Sequence, residues 1–297
     1  MPGGTARHIG PSWLGLSALL LGSGGSAGVQ SAGRPESVVP ASLPAVVVDT
    51  PAALDAEKVK AILAAAPVEE PPDFSGQDLS GLDLHGLDFK RAVLVKARLA
   101  GSDLTGANLF SCDLTDAVLT EAKLGHANMD GTTLRRADLR RADLRGASLF
   151  ATIIEAADLS GADLSETRII GYLKKAKLVG TKLQGANIGA DPGNQSMGVM
   201  RASFVGGDLT GADFSGSNLF KADFSHASLK DAVLRGVNLG NGDLVETDFT
   251  GADVTDMNLS QADISGAIFT RAKGVKTIKG LAEARNRDKA VFDEPVE

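Results

Sequence analysis

The sequence predicts an all-β solenoid, a chain wound into stacked coils instead of collapsed around one thick core. Three observations carry this reading. From Phe74 an apolar residue recurs every fifth position, through Leu79, Leu84, Phe89 and Leu94 as far as Ile169, and a second unbroken run goes from Phe204 to Phe269. Two residues before each apolar centre the chain prefers Ala or another small residue, one before it prefers Asp or Asn, and the two after it are mostly polar or Gly. Like residues also recur twenty apart: Asn108 and Asn128; Asn218, Asn238 and Asn258; Phe204 and Phe224; Phe249 and Phe269.

A period of five fits neither the 3.6 of a helix nor plain alternation, but it combines alternation with a corner. The centre and the residue two before it share one face, as in a strand, and the remaining residues turn the chain. Such a unit cannot bury its apolar face alone, so it must wind and stack. Columns repeating at twenty place like on like at about 4.8 Å, where Asn ladders are favourable. The 297 residues would ordinarily suggest about two domains, but repeats override that expectation because arrays grow by adding units. Aromatics are only 4 % while Gly numbers 35, a mix suited to thin, tightly wound backbone.

The elements follow in order. Residues 1–27 read as a signal peptide: Arg7 in a weakly positive start, the short apolar run Trp13 to Leu21, then small residues with cleavage after Ala27. The run is shorter than the roughly 20 residues a membrane span needs, so the mature chain has no predicted transmembrane segment. No Cys follows it to carry a lipid anchor. The expected location is periplasmic or extracellular, with a cytoplasmic chain as the alternative. Residues 28–70 form a linker plus a short helix over 52–65, with Thr50 as N-cap, Pro51 at the first turn and Val59, Ile62 and Leu63 as its apolar stripe. Residues 71–275 are the solenoid. Its phase slips by one at the four-residue step from Ile169 to Leu173. The stretch 189–201 reads as a loop or an irregular insert in the wall, and the loop is preferred because removing eleven residues there lets Asn187 be followed by Asn218 one coil later. Residues 276–297 break the period and read as a cap in which Ile278, Leu281, Ala282 and Phe292 cover the last coil.

The units ADLRR at 137–141, ADLSG and ADFSG resemble the pentapeptide-repeat family, whose consensus is A(D/N)LXX, and the resemblance covers about 70 to 275. It implies a right-handed, four-sided parallel β-helix in which each unit makes one side and twenty residues one coil. About nine coils, with short N-terminal and C-terminal capping helices, give a rod of roughly 45 Å. The resemblance also carries an alternative function. Some members are DNA mimics whose acidic rods bind type II topoisomerases such as gyrase, and some pair as homodimers through an end of the rod.

The net charge of −7 removes a global pull toward nucleic acid or anionic membrane. The stretch RRADLRRADLRGASLF nonetheless carries Arg135, Arg136, Arg140, Arg141 and Arg145. All follow centres and point outward, and consecutive units lie on different sides, so they form a basic belt around one level. Twenty residues off, Arg136 meets Asp116, Arg141 meets Glu121 and Arg135 meets Glu155, while Arg140 and Arg145 meet no acid at that spacing. A solvated, partly paired belt is the expectation, and no aromatics interleave it for stacking on single strands.

Phe110, Phe150 and Phe220 follow centres and point outward, and with Ile170 they form one column once the loop is set aside. This apolar column is the candidate partner-binding surface. Acidic columns also stack, at Asp223, Asp243 and Asp263 and at Asp143 and Asp163, but Arg98 and Lys123 interrupt those of the first block. No catalytic, cofactor or metal residues are predicted: His85, His126 and His226 have no Cys or His neighbours twenty residues off, and paired acids lie on a convex wall without a cleft. The single cysteine, Cys112, takes an inward Ala-type position, and no intramolecular disulfide can form. The function expected is a non-enzymatic, exported scaffold that binds a protein partner through a flat side.

Overall fold

The computed structural model of the protein describes residues 54–67, 69–89, 91–190 and 201–294. The signal peptide, the linker, Thr50, Pro51 and most of 189–201 lie outside the described residues. Residues 51–297 form one compact unit.

The first element is α1, Ala56–Ala65. Asp55, not Thr50, is its N-cap: Asp55 is extended and its carboxylate accepts from the Lys58 N–H at 2.8 Å, satisfying a donor that the first turn leaves unbonded. Val59 and Leu63, one turn apart, are buried in the same core cluster as Phe74 and Leu79, while Ile62 is exposed. Pro67 follows the extended Ala66 and forbids continuation.

From Asp73 the chain becomes a parallel ladder of single-residue bridges, and the bridging residue is the one before each centre. Four columns run side by side. The first passes through Asp73, Val93, Asp113, Thr133, Ile153, Tyr172, Ser203, Asp223, Asp243, Asp263 and Arg285; the fourth through Asp88, Asn108, Asn128, Ser148, Arg168, Asn187, Asn218, Asn238, Asn258 and Lys279. Each side therefore contributes bonds up and down: Leu139 N–H donates to Asp158 O at 2.7 Å and Asp138 N–H to Ala117 O at 2.9 Å. At the corner, Ala142 N–H closes on Leu139 O at 3.0 Å across Arg141, whose φ is 58°. A turn with positive φ at its third residue favours glycine there, which explains the Gly-rich position two after the centre. The small residue before the ladder position faces the core. Where it is Thr, its hydroxyl bonds to backbone, as Thr132 Oγ1 does to Leu109 O at 2.8 Å and Thr247 Oγ1 to Phe224 O at 2.9 Å. The centres fill the interior: Phe204 and Phe224 stack at 4.7 Å and Phe249 and Phe269 at 4.8 Å, nearly parallel.

Two departures from twenty occur in succession. Ile153, Asp158, Asp163 and Arg168 bridge to Tyr172, Lys177, Lys182 and Asn187, nineteen residues on; these in turn bridge to Ser203, Asp208, Asp213 and Asn218, thirty-one on. Where the residue is missing, β2 (Arg168–Tyr172) runs on without a left-handed corner residue and pairs with β1 (Ser148–Ile153), in which Ala151 keeps a φ of 56° and is taken up as a bulge between Phe150 and Thr152.

The C-terminal segment differs from the predicted capping helix. After Lys273 the rungs fall at Lys279, Arg285 and Val291, so the side lengthens from five residues to six and the chain winds once more. Three 3-10 turns, Val275–Thr277, Leu281–Glu283 and Arg287–Lys289, form its corners, each entered from a left-handed residue: Gly274, Gly280 and Asn286. Leu281 is buried and Phe292 stacks on Phe269 at 5.0 Å, but Ala282 is exposed.

Candidate interaction surfaces

The arginine belt is paired throughout. Arg136 clamps Asp116 through Nε and Nη2, both at 2.7 Å; Arg141 reaches Glu121 at 2.6 Å; Arg135 lies 3.4 Å from Glu155. Arg140 and Arg145, expected to lack acids, fold back within their own units. Arg140 grips Asp138 at 2.8 and 2.6 Å, and Arg145 grips Asp143 at the same distances. In both cases the aspartate Oδ1 also accepts the arginine backbone N–H. The unit's Asp is thus pre-aimed at the residue two after it, a local geometry that counting by twenty does not reveal. The guanidinium of Arg140 beside Asp138, and that of Arg145 beside Asp143, hold these carboxyls below the usual carboxylate range.

The acidic columns are also matched by cations. Arg201 reaches Asp223 at 3.3 Å and Asp243 at 2.5 Å, and Arg285 reaches Asp243 at 3.4 Å and Asp263 at 4.0 Å. Lys123 pairs with Asp103, Arg98 with Asp78 and Lys182 with Asp163.

The fourth side carries the phenylalanine column. Its ladder positions are an amide stack: Asn128 donates to Asn108 at 3.1 Å, Asn108 to Asp88 at 3.0 Å and Asn258 to Asn238 at 3.1 Å. Asn108 Oδ1 accepts the backbone N–H of Phe110 and Asn218 Oδ1 that of Phe220, both at 3.2 Å, fixing the backbone from which these rings project. Phe110 is 48 % exposed. Phe150 is half-buried beneath the Arg168 guanidinium, 4.4 Å from its ring centre, and Phe220 is half-buried with Lys221 at 5.4 Å. Ile170 departs from the expectation: it is 1 % exposed and stands outside the central core cluster, on the straightened rung β2. Its register is the predicted one, opposite Phe150, and the four-residue step begins just after it, so the count of twenty places Ile170 in the column without making it an exposed member. The exposed part of this surface is therefore Phe110, with Phe150 and Phe220 partly shielded.

The remaining candidates lie apart from one another. His85 contacts Asp83, and His226 lies 3.0 Å from Glu246 on a different side. Among the described residues no three His, Cys, Asp or Glu side chains gather as a metal site. Cys112 is buried, and desolvation pushes its thiol up to about 12, away from thiolate chemistry. Among the described residues no helix is long and apolar enough to cross a membrane.

Comparison with known proteins agrees with the ladder. The family described as pentapeptide repeats matches in eight copies, over residues 73–109, 112–149, 200–236 and 227–266. No curated protein matches the chain. Similar solved structures include HetL, a pentapeptide repeat protein involved in heterocyst differentiation regulation from the cyanobacterium Nostoc sp. strain PCC 7120. It is 26 % identical over 80 % of this chain and 100 % of its own, with a TM-score of 0.47. Full-length QnrB1, a plasmid-mediated fluoroquinolone resistance protein, is 19 % identical over 68 % of this chain and 90 % of its own, with a TM-score of 0.45. A pentapeptide repeat protein of the Arabidopsis thaliana thylakoid lumen is 25 % identical over 56 % and 76 %, with a TM-score of 0.16. The repeated unit, the twenty-residue ladder and the family match together place the chain in the pentapeptide-repeat family, with the right-handed β-helix that membership implies.

Proposed function

We propose that the protein is a non-enzymatic, exported scaffold that binds a protein partner through the phenylalanine-bearing side of the rod. The observation that carries this is Phe110, a large aromatic 48 % exposed on a flat wall whose backbone is pinned by the amide ladder. A rigidly held aromatic loses little entropy on binding. Phe150 and Phe220 extend the same side, and the arginines of the belt are engaged with carboxylates of the rod itself. Replacing Phe110 and Phe150 with Ser is expected to leave the circular dichroism spectrum intact and abolish capture of the partner from an envelope fraction. Unchanged capture removes this surface from consideration. Sequencing the mature N-terminus after fractionation tests export, with a chain beginning near Gly28 expected outside the cytoplasm.

The DNA-mimic reading, binding to a type II topoisomerase, has weaker support. Duplex mimicry needs an uninterrupted negative face, and Arg201 and Arg285 sit on the longest aspartate column. Inhibition of supercoiling by the purified protein at micromolar concentration is its test. Homodimerisation is carried by a different feature: no described residue continues the ladder beyond Lys279, Arg285 and Val291, and Phe269, Val275 and Phe292 line a cavity of about 340 Å³ at that end. Sedimentation velocity across a concentration series separates monomer from dimer.

A further inference from the structure

The first side of the rod presents a surface of different chemistry. Its ladder positions change character midway: Asp113 and Asp223 bound a stretch of Thr133, Ile153, Tyr172 and Ser203 that holds no carboxylate. Tyr172 is 56 % exposed. Two and three residues on, Lys174 and Lys175 are exposed at the corner, Lys175 with a φ of 58°. The rung below sets Glu155 and Ala156 beside them, since Ala156 N–H donates to Lys174 O at 2.9 Å; the rung above sets Val205 and Gly206 there, since Lys175 N–H donates to Val205 O at 3.0 Å. Glu155 is the sole carboxylate among those four neighbours, and Arg135 holds it. Among the described residues neither Lys174 nor Lys175 forms an ion pair. This corner thus gathers Arg135, Arg136, Lys174 and Lys175 against Asp116 and Glu155, on a chain whose net charge is −7.

We propose that this corner docks an extended acidic segment of a partner protein, with carboxylates on Lys174 and Lys175 and an apolar side chain against Tyr172 and Ile153. The proposal rests on the reading of the rod as a protein-binding scaffold, but it uses neither Phe110 nor Phe150. The arginines of the belt already have bidentate or close partners, so a new anion there would displace an existing pair. At the lysines it would displace only water. Tyr172 adds a rigid body with a polar tip, suited to a half-wet contact. A phosphate backbone fits less well. The positive band spans two coil steps, about 10 Å, and aspartates bound it on both flanks, so a longer polyanion meets like charge.

The test is fluorescence anisotropy of the full-length protein with a labelled peptide of about nine residues built from Asp-Asp-Phe-Phe units, so that each face of the extended chain carries both types, with oligothymidylate of about twelve nucleotides as the competing class. The peptide is expected to bind, more weakly as salt rises, and Lys174→Glu with Lys175→Glu to reduce affinity at least about tenfold. Tyr172→Ser is expected to weaken binding about threefold or more. Melting curves establish that each variant is folded; Glu121 and Glu166 already occupy the equivalent left-handed corner, so Glu is tolerated there. Absence of peptide binding, or binding indifferent to the charge reversal, overturns the proposal. Oligothymidylate binding with the same lysine dependence overturns it in favour of nucleic acid. If Phe110→Ser with Phe150→Ser removes peptide binding, the corner is not a separate site and the proposal fails while the scaffold reading stands. If that variant keeps peptide binding but partner capture is indifferent to it, the phenylalanine surface fails and the corner stands.

Discussion

Asn187 and Asn218 stand thirty-one residues apart in the chain and one step apart in the ladder, where the Asn218 amide donates to Asn187 Oδ1 at 3.4 Å. The wall therefore resumes its register after the longer excursion as though eleven residues were supernumerary to it. Deleting 190–200 joins Gly189 to Arg201 and writes an uninterrupted unit from Ile188 to Phe204. The expected result is a folded rod with unchanged far-ultraviolet circular dichroism and little change in Tm. A molten product shows that the excursion is needed for winding.

The interior predicts a contrasting response. Phe224 stacks on Phe204 and meets Phe214 edge-on at 5.9 Å, and all three are fully buried. Phe224→Ala removes a ring that the wound backbone cannot collapse to replace. It is expected to cost about 3–5 kcal/mol in denaturant unfolding.

Acid should weaken the rod in a defined direction. The carboxyls of Asp138 and Asp143 sit below their ordinary value of 3.8, chiefly through the arginine side chains that they accept from. A carboxyl whose folded value is depressed contributes stability that is present above the unfolded value and lost as pH falls through the folded one. Stability is therefore expected to be level from neutral pH to about 5 and to fall below about 4. Replacing both residues with Asn should shallow that acid limb in thermal melts; an unchanged limb assigns acid sensitivity to other groups.

The six-residue sides of the last coil hang on their left-handed residues. A Cβ at Gly280 would collide with the Ser260 backbone nitrogen at 2.7 Å as well as with its hydroxyl, and φ there is 67°. Gly280→Ala is expected to release residues 279–294 to rapid amide exchange while leaving the rungs around Leu139 protected. Equal protection across both regions contradicts this account.

The pentad wall was legible because its signal is repeated: Phe74, Leu79 and Leu84 state the period and Asn218, Asn238 and Asn258 state the coil. The remaining features are local. The hexad GVKTIK, GLAEAR follows the same logic, with Gly274, Gly280 and Asn286 six apart, but it lasts a single coil and its inward residues are as small as Ala284 and Ala290, so no long apolar period announces it. Asp55 is a less conspicuous cap in the sequence than Thr50, because Pro51 follows Thr50 and makes the stronger dipeptide signal. Ile170 keeps the register with Phe150 that a count of twenty predicts, but exposure is not written in that count, and Ile170 is buried. Arg140 and Arg145 found acids two residues away, at a distance that depends on how the corner folds.

Twenty-one described residues other than glycine hold a positive φ, nearly all of them at corners. An L-residue in that conformation carries a strain of about 1–2 kcal/mol relative to its usual basin. An all-glycine version of these corners would be easier to wind but featureless. Lys175, Arg136, Glu121 and His226 are instead placed where the backbone resists a side chain. The chemical lettering of this rod, everything a partner could tell apart from plain wall, is thus written in part at its least comfortable positions, and selection for recognition and selection for stability act there in opposite directions.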